Sequence, residues 1–373
     1  MIRVVISSFD SPGNPHYNGG GAVVVDTLAR SLAPHFHVTV VTVGRRRQTL
    51  TRDGIRYLQL PLAWAGPRGG QVLFHLMLPF AARRVRHDLW IESFTPPIST
   101  SFVPLFSPAR VVGLAQTLSG MEMWDRYRLP FFLAERLGLR CYRDVVVVNP
   151  ADGARVRRCS PSANVQVIPN CIDLPPLDQG PPPGAGEHIL YLGRIDLLVK
   201  GLDLLLAAYE RSGVAMPLVL AGSGTAGEER KLTRLLGAAA GDVRWVGYVA
   251  DRRKQELLAA SAFVVLPSRH ESFGLAALEG MSYRKPVLHF DLPTLEWMAG
   301  DVRVPPFDVD AFAAALRELA EDEEMRGRLG RSARAAAQRY GRQETAEEYV
   351  SLVRRLLDVP AADARSERDP AWQ

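Results

Sequence analysis

Short runs of β-branched and aromatic residues alternate along this chain with longer stretches in which apolar residues return every three or four positions. The runs predict strands at 2–6, 37–43, 55–60, 88–92, 110–115, 145–148 and 165–169. A second series follows at 188–192, 218–221, 243–246, 262–266 and 286–290. The amphipathic stretches predict helices at 22–32, 71–86, about 130–142, 202–209, 228–236, 251–260 and 275–281. Residues 310–340 read as mostly helical, and a final helix covers about 345–357. Strands and helices alternating at this spacing imply parallel sheets with helices on both faces.

Between the two series lie Pro175, Pro176, Pro181, Pro182 and Pro183, which prevent helix and disfavour a central strand. Residues 174–187 therefore read as an interdomain linker. It separates a first domain, 1–173, from a second, 188–340, and a length of 373 residues suits two domains of ordinary size. The last helix, 341–358, is expected to pack back on the first domain, and 359–373 to be a mobile polar tail.

Composition narrows the class. With 47% apolar residues each domain can bury a sizeable core, yet no run approaches the roughly 20 apolar residues of a membrane span. The first residues enter a strand directly, without the layout of a signal peptide. Cys141, Cys159 and Cys171 have neither metal-ligand spacing nor a disulfide framework, so a cytoplasmic protein is expected. The net charge of +5 is spread along the chain, with local clusters only at Arg45-Arg46-Arg47 and at Arg83-Arg84-Val85-Arg86. No aromatic–basic pattern of a nucleic-acid module accompanies them. The apolar stretch 72–78 before the second cluster leaves peripheral contact with an anionic membrane surface open. A core helix whose arginines complement its dipole explains the same pattern.

The candidate chemistry centres on 267–280, Pro-Ser-Arg-His-Glu-Ser-Phe-Gly-Leu-Ala-Ala-Leu-Glu-Gly. It runs from a buried strand through a polar loop into a helix, the corner where ligands bind in open parallel sheets. The free N–H groups at such a helix start suit a phosphate. Glu271 stands in the loop, and Glu279, eight residues on, is expected about two turns into the helix, a spacing that fits a sugar or ribose. A solvated helix face plus a cap is the alternative reading of the two glutamates, ranked second. In the first domain, Gly19-Gly20-Gly21 follows the first strand and lets backbone approach a bulky anion, but it lacks the dinucleotide fingerprint.

Taken in order, Gly19-Gly20, Pro169-Asn170-x-x-Asp173, Gly193-Arg194 with Lys200-Gly201, Gly222-x-Gly224, Gly247-x-Val249 and the 267–279 stretch resemble the retaining glycosyltransferases of family 4. The resemblance spans nearly the whole chain. It implies the GT-B fold, two facing Rossmann-like domains with a cleft between them, and a nucleoside diphosphate sugar as donor, with no further cofactor and no metal. By this resemblance Arg194 and Lys200 would bind the donor diphosphate, and Gly19, Gly20, Gly193 and Gly222 would leave room for it. Glu279 would hold the ribose, and Val249 would meet the base through its main chain. Glu271, Ser272 and the N–H groups of Phe273, Gly274 and Leu275 would face the transferred sugar and phosphate. Fixed cations and helix N-termini would stabilise the leaving diphosphate.

Two departures stand out. Where such proteins usually carry a histidine just past the strand ending at Ala115, this chain has Gln116, which hydrogen-bonds but does not titrate. Residues 291–296, Asp-Leu-Pro-Thr-Leu-Glu, replace a Gly-Gly turn before a glutamate. An active transferase, a non-catalytic sugar-nucleotide-binding subunit and a sugar-nucleotide epimerase are the readings that remain, in that order. The epimerase would need acid/base groups, for which Asp10, Glu92 and Glu122 are the N-terminal candidates. The acceptor, a hydroxyl compound, is not identified. Phe94, Phe102, Phe106, Trp124 and Tyr127, in loops at 93–108 and 120–130, would line its site or pack a loop core. Nothing in the pattern sets an oligomeric state.

Overall fold

A computed structural model describes residues 1–11, 14, 20–96, 99–176, 184–237 and 241–359. Gly19, residues 177–183 of the proline-rich segment and the tail from 360 onward lie outside the described residues. The chain divides into two compact units, one built from Met1–Asn170 together with the last helix, the other from Cys171–Gly341.

The first unit contains β1 (Arg3–Ser7), α1 (Gly20–Leu32), β2 (His37–Gly44), β3 (Gln48–Arg52), β4 (Ile55–Pro61), α2 (Gly66–Arg84) and β5 (Leu89–Ser93). It continues with β6 (Arg110–Ala115), α3 (Gly120–Tyr127), α4 (Phe131–Leu139), β7 (Asp144–Val147), α5 (Pro150–Cys159) and β8 (Asn164–Val167). The sheet order is β3-β4-β2-β1-β5-β6-β7-β8, parallel except for β3, which pairs antiparallel with β4. Alternate strand residues serve two cores, as the two-residue period of a strand requires. Val4, Ile6, Val38 and Val40 pack under α1, while Val5, Val41, Trp90 and Val145 pack under α2, α4 and α5. The helix α12 (Arg342–Leu356) lies against α1 and adds Leu352, Val353 and Leu356 to the first of these cores.

The second unit contains β9 (His188–Leu192), α6 (Leu202–Ser212), β10 (Leu218–Ala221), α7 (Ala226–Leu236), β11 (Val243–Gly247), α8 (Asp251–Ala260) and β12 (Ser261–Leu266). Then come α9 (Leu275–Ser282), β13 (Val287–Phe290), β14 (Asp301–Val304), α10 (Val309–Glu321) and α11 (Glu323–Ala337). Its sheet is parallel in the order β11-β10-β9-β12-β13-β14. Asp322 ends α10 and caps α11 by accepting from Met325 N, so the mostly helical stretch expected over 310–340 is divided into two helices. The described ends of the proline-rich segment are fastened by buried cations. Arg334 donates to Pro175 O at 3.0 Å, Arg326 to Gly184 O at 2.8 Å and Lys285 to Ala185 O at 3.2 Å.

Three further elements arise where no strand or helix was expected: β3, α5 and β14. The stretch 120–130 is also corrected. It is not a loop, because α3 covers Gly120–Tyr127 and packs on α4, with the Trp124 ring edge-on to Phe132 at 5.7 Å. Phe94 is core, buried against Tyr142 at 5.0 Å, and does not line a site.

Candidate functional site

In the second sheet the chain steps outward from β9 to β10 and β11, then returns to place β12 on the other side of β9. The strand order therefore reverses between β9 and β12, and the loops leaving these two strands lie at the carboxyl-end corner where open parallel sheets bind ligands. Gly193, Arg194 and Lys200 follow β9; Glu271 to Gly274 follow β12.

The two loops meet through an ion pair. Lys200 Nζ donates to Glu271 Oε2 at 2.7 Å, with both side chains largely out of water. Ser268 Oγ donates to the same carboxylate oxygen at 3.2 Å. Backbone geometry makes this meeting possible. Gly201, at φ +65°, caps α6, and a Cβ there would stand 1.9 Å from Pro267 O, so only glycine lets the lysine loop lie on the glutamate loop. Arg269 closes the same seam with two 2.7 Å bonds to Asp203 and one of 2.8 Å to Leu198 O. Arg194, half exposed, stands 3.5 Å from Asp196. Its carbonyl accepts from the Tyr191 hydroxyl at 2.7 Å, and burial raises the phenol pKa, which keeps that donor protonated.

Gly274, at φ +82°, is the N-cap of α9, so the first N–H groups of that helix open beside Glu271. Glu279 is the fifth residue of α9, little more than one turn from its start, which corrects the two turns expected from sequence. The reason is that the polar loop runs on to Gly274 before the helix begins. Lys254 of α8 donates to the Glu279 carboxylate. Gly222 and Val249 lie just past the ends of the neighbouring strands β10 and β11; Gly222 N donates to Gly247 O at 2.7 Å, and Val249 is buried. Ser272 and Leu275 lie on either side of Phe273-Gly274 in the same corner.

Two supports of this corner were not foreseen. Thr294 Oγ1 donates to Glu271 O at 2.6 Å, and Trp297 Nε1 donates to Phe273 O at 3.0 Å. The Trp297 ring also stacks on Phe273 with centroids 4.5 Å apart and planes 5° from parallel, while Tyr340 meets it edge-on at 4.7 Å. The segment carrying Thr294 is the one that departs from the Gly-Gly pattern, which was the available signal.

Gln116 and Gly20 belong to the first unit. Gln116 follows β6, and its Nε2 donates to Ser93 Oγ at 3.0 Å. Gly20 opens α1, and its neighbour Gly21 packs so closely on Asp10 that a Cβ would come within 2.8 Å of a carboxylate oxygen. Glu92 is fully buried at the end of β5. It accepts from Ser101 N at 2.9 Å, from the Ser101 hydroxyl and from the Tyr142 hydroxyl at 2.6 Å, and burial pushes its pKa up to about 7. His75 and His87 are held by Gln71 O and Val85 O as structural groups. Among the described residues no cluster of three or more His, Cys, Asp or Glu is placed to hold a metal ion, and no helix is long and apolar enough to cross a membrane.

Comparison with known proteins gives a consistent picture. Residues 18–175 match Glycosyltransferase Family 4, and residues 186–322 match Glycosyl transferases group 1. A phosphatidyl-myo-inositol mannosyltransferase of Mycolicibacterium smegmatis is 30% identical over 203 residues, 50% of this chain and 52% of that protein. An alpha-D-kanosaminyltransferase of Streptomyces kanamyceticus is 31% identical over 154 residues, 39% of each. The matched stretch thus spans about half the length of the first of these relatives and less of the second. Among solved structures, sucrose-phosphate synthase from Thermosynechococcus elongatus superposes with a TM-score of 0.80 at 21% identity, covering 96% of this chain and 100% of that one. Anabaena HepE, solved with UDP and glucose, superposes at 0.71 with 17% identity, covering 95% and 99%.

Proposed function

Because the chain belongs to the glycosyltransferases of family 4 and group 1, with the two Rossmann-like parallel-sheet units of the GT-B fold, we propose that it moves a sugar from a nucleoside diphosphate sugar to a hydroxyl acceptor, with retention and without a metal. The observation that carries this reading is the Lys200–Glu271 pair at the strand-order reversal, beside the start of α9. Lys200 and Arg194 supply cations for the diphosphate, and the α9 N-terminus supplies directed N–H groups, so negative charge building on the leaving group meets fixed positive charge. Glu271 holds sugar hydroxyls and favours the positive character that develops at the anomeric carbon.

As the bond from that carbon to the phosphate oxygen breaks, a bond from the acceptor oxygen forms on the same face. The acceptor proton passes to the departing phosphate oxygen, so no protein base is needed. Glu279, held by Lys254, is the ribose partner. The backbone at Val249, just past β11, is the seat of the base. HepE was solved with UDP and glucose, so UDP-glucose is the first donor to test. A thermal-shift series with UDP, GDP, ADP and dTDP and their common sugars tests the proposal. Stabilisation by one nucleotide sugar, followed by its turnover, supports it; no response to any of them overturns it.

Gln116 favours a second reading, a sugar-nucleotide-binding subunit without turnover of its own, since its amide is engaged with Ser93 and does not titrate. Binding of a nucleotide sugar with no hydrolysis or transfer would select it. An epimerase is less favoured because Glu92, one of its three N-terminal acid/base candidates, is buried and taken up by Ser101 and Tyr142.

A further inference from the structure

The two outer surfaces of the first unit differ in charge. On one face of its sheet α12 carries both signs, turning Glu344, Glu347 and Glu348 to solvent along with Arg355. On the other face lie α2, α4 and α5, and among their described residues every exposed charge is an arginine: Arg83, Arg84, Arg136, Arg157 and Arg158. The acids of these three helices, Glu135 and Asp152, are buried and engaged with Arg155 and Asn149. The same face exposes apolar side chains that the core does not use. Val72, Leu76 and Phe80 form a stripe at four-residue spacing on α2, opposite the buried Phe74 and Leu78. Leu133 and Leu137 repeat the spacing on α4. Leu76 is 60% exposed and Leu137 is 57% exposed, which is unusual for leucines in otherwise well-packed helices.

We propose that this face docks on an anionic bilayer surface. The leucines and Phe80 enter the boundary between headgroups and acyl chains, and the arginines meet lipid phosphates, the division of labour of interfacial helices. A second copy of the chain is the poorer occupant. A two-fold interface would set arginine against arginine with no carboxylate on the described face to answer it. The proposal does not rest on the donor site, since its residues belong to the first unit and its readout is binding.

Co-sedimentation of the full chain with vesicles of phosphatidylcholine alone, or with about a third phosphatidylglycerol, tests it. Binding to the anionic vesicles should exceed binding to the neutral ones by on the order of tenfold and fall as salt is raised. Leu76→Glu with Phe80→Glu should abolish it, while Glu347→Gln on the opposite face should not change it. Should the first of these fail to fold, Arg136→Gln with Arg158→Gln gives the same comparison, with a loss of on the order of tenfold. Absence of binding, equal binding to both vesicles, or retention by the α2 and arginine variants overturns the proposal. So does a dimer in solution that Leu76→Glu dissociates.

Discussion

Replacing Lys200 by methionine keeps most of the aliphatic stem and removes only the ammonium. At 2.7 Å from Glu271 Oε2, and with an effective dielectric constant of about 20, the gross attraction lost is roughly 6 kcal/mol. Desolvation of both charges offsets much of it, and removing one partner of a buried pair costs about 3–5 kcal/mol. Ser268 Oγ remains on the carboxylate and the pair is not fully closed to water, so the lower end, about 3 kcal/mol, is expected. That corresponds to a fall in Tm of roughly 6–12 °C for a unit of this size. If the ammonium also stabilises the leaving diphosphate, turnover should drop by about 10²–10³, equivalent to about 2.7–4 kcal/mol of transition-state stabilisation. The two losses separate in the double variant Lys200→Met/Glu271→Gln, which removes the orphaned charge. Its Tm, read by calorimetry, should return most of the way. Its nucleotide release from the donor identified by thermal shift should stay low. Recovery of both together would mean that the pair is only a structural brace, and the phosphate role would be refuted.

Other outcomes follow from the same geometry. Glu92 ionises in the unfolded chain near pH 4.5 but in the folded chain only near 7, so the folded state binds more protons between those values and stability falls as pH rises through them. Glu92→Gln should therefore gain on the natural chain from pH 5 to 8, by roughly 1–3 kcal/mol at the upper end; parallel Tm profiles across that range would contradict it. Trp297→Phe keeps a ring against Phe273 but loses the bond to its carbonyl, and should raise the donor KM several-fold with kcat and Tm little changed. Trp297→Ala should also lower Tm, by about 3 kcal/mol of stability, and equal KM values for all three chains would remove Trp297 from the positioning of the loop. Gln116→His should leave the circular dichroism spectrum intact and raise donor hydrolysis; a misfolded product would mean that position 116 is core.

The elements that could be read in advance are those whose physics is local. Strands such as β7 and β12 are buried on both faces and show as unbroken apolar runs, Val145 to Val147 and Ala262 to Leu266. By contrast β3 is exposed at every residue and exists because Asp53-Gly54 turns the chain back against β4, so it carries no pattern of its own. α5 is ten residues long and is started by Asn149 accepting from Asp152 N, a cap hidden in an Asn-Pro sequence that also reads as a turn. At the site, Gly193, Lys200, Glu271 and Gly274 show as loop residues between strand and helix. Their partners did not, because they reach across sequence: 66 residues from Arg269 to Asp203, 25 from Lys254 to Glu279, 24 from Trp297 to Phe273. Contacts of that span are fixed by strand order, which a single sequence leaves open.

The placement of α12 has a consequence for how this chain is born. The unit synthesised first lacks one of its own walls until the ribosome has finished the other unit, because Leu352, Val353 and Leu356 arrive only after residue 341. Until then Leu28 and Ala29 of α1 have no cover from that side. The later-made unit, whose core draws on Cys171–Gly341 alone, is thus the one able to finish first, and the nascent N-terminal half has to wait for it.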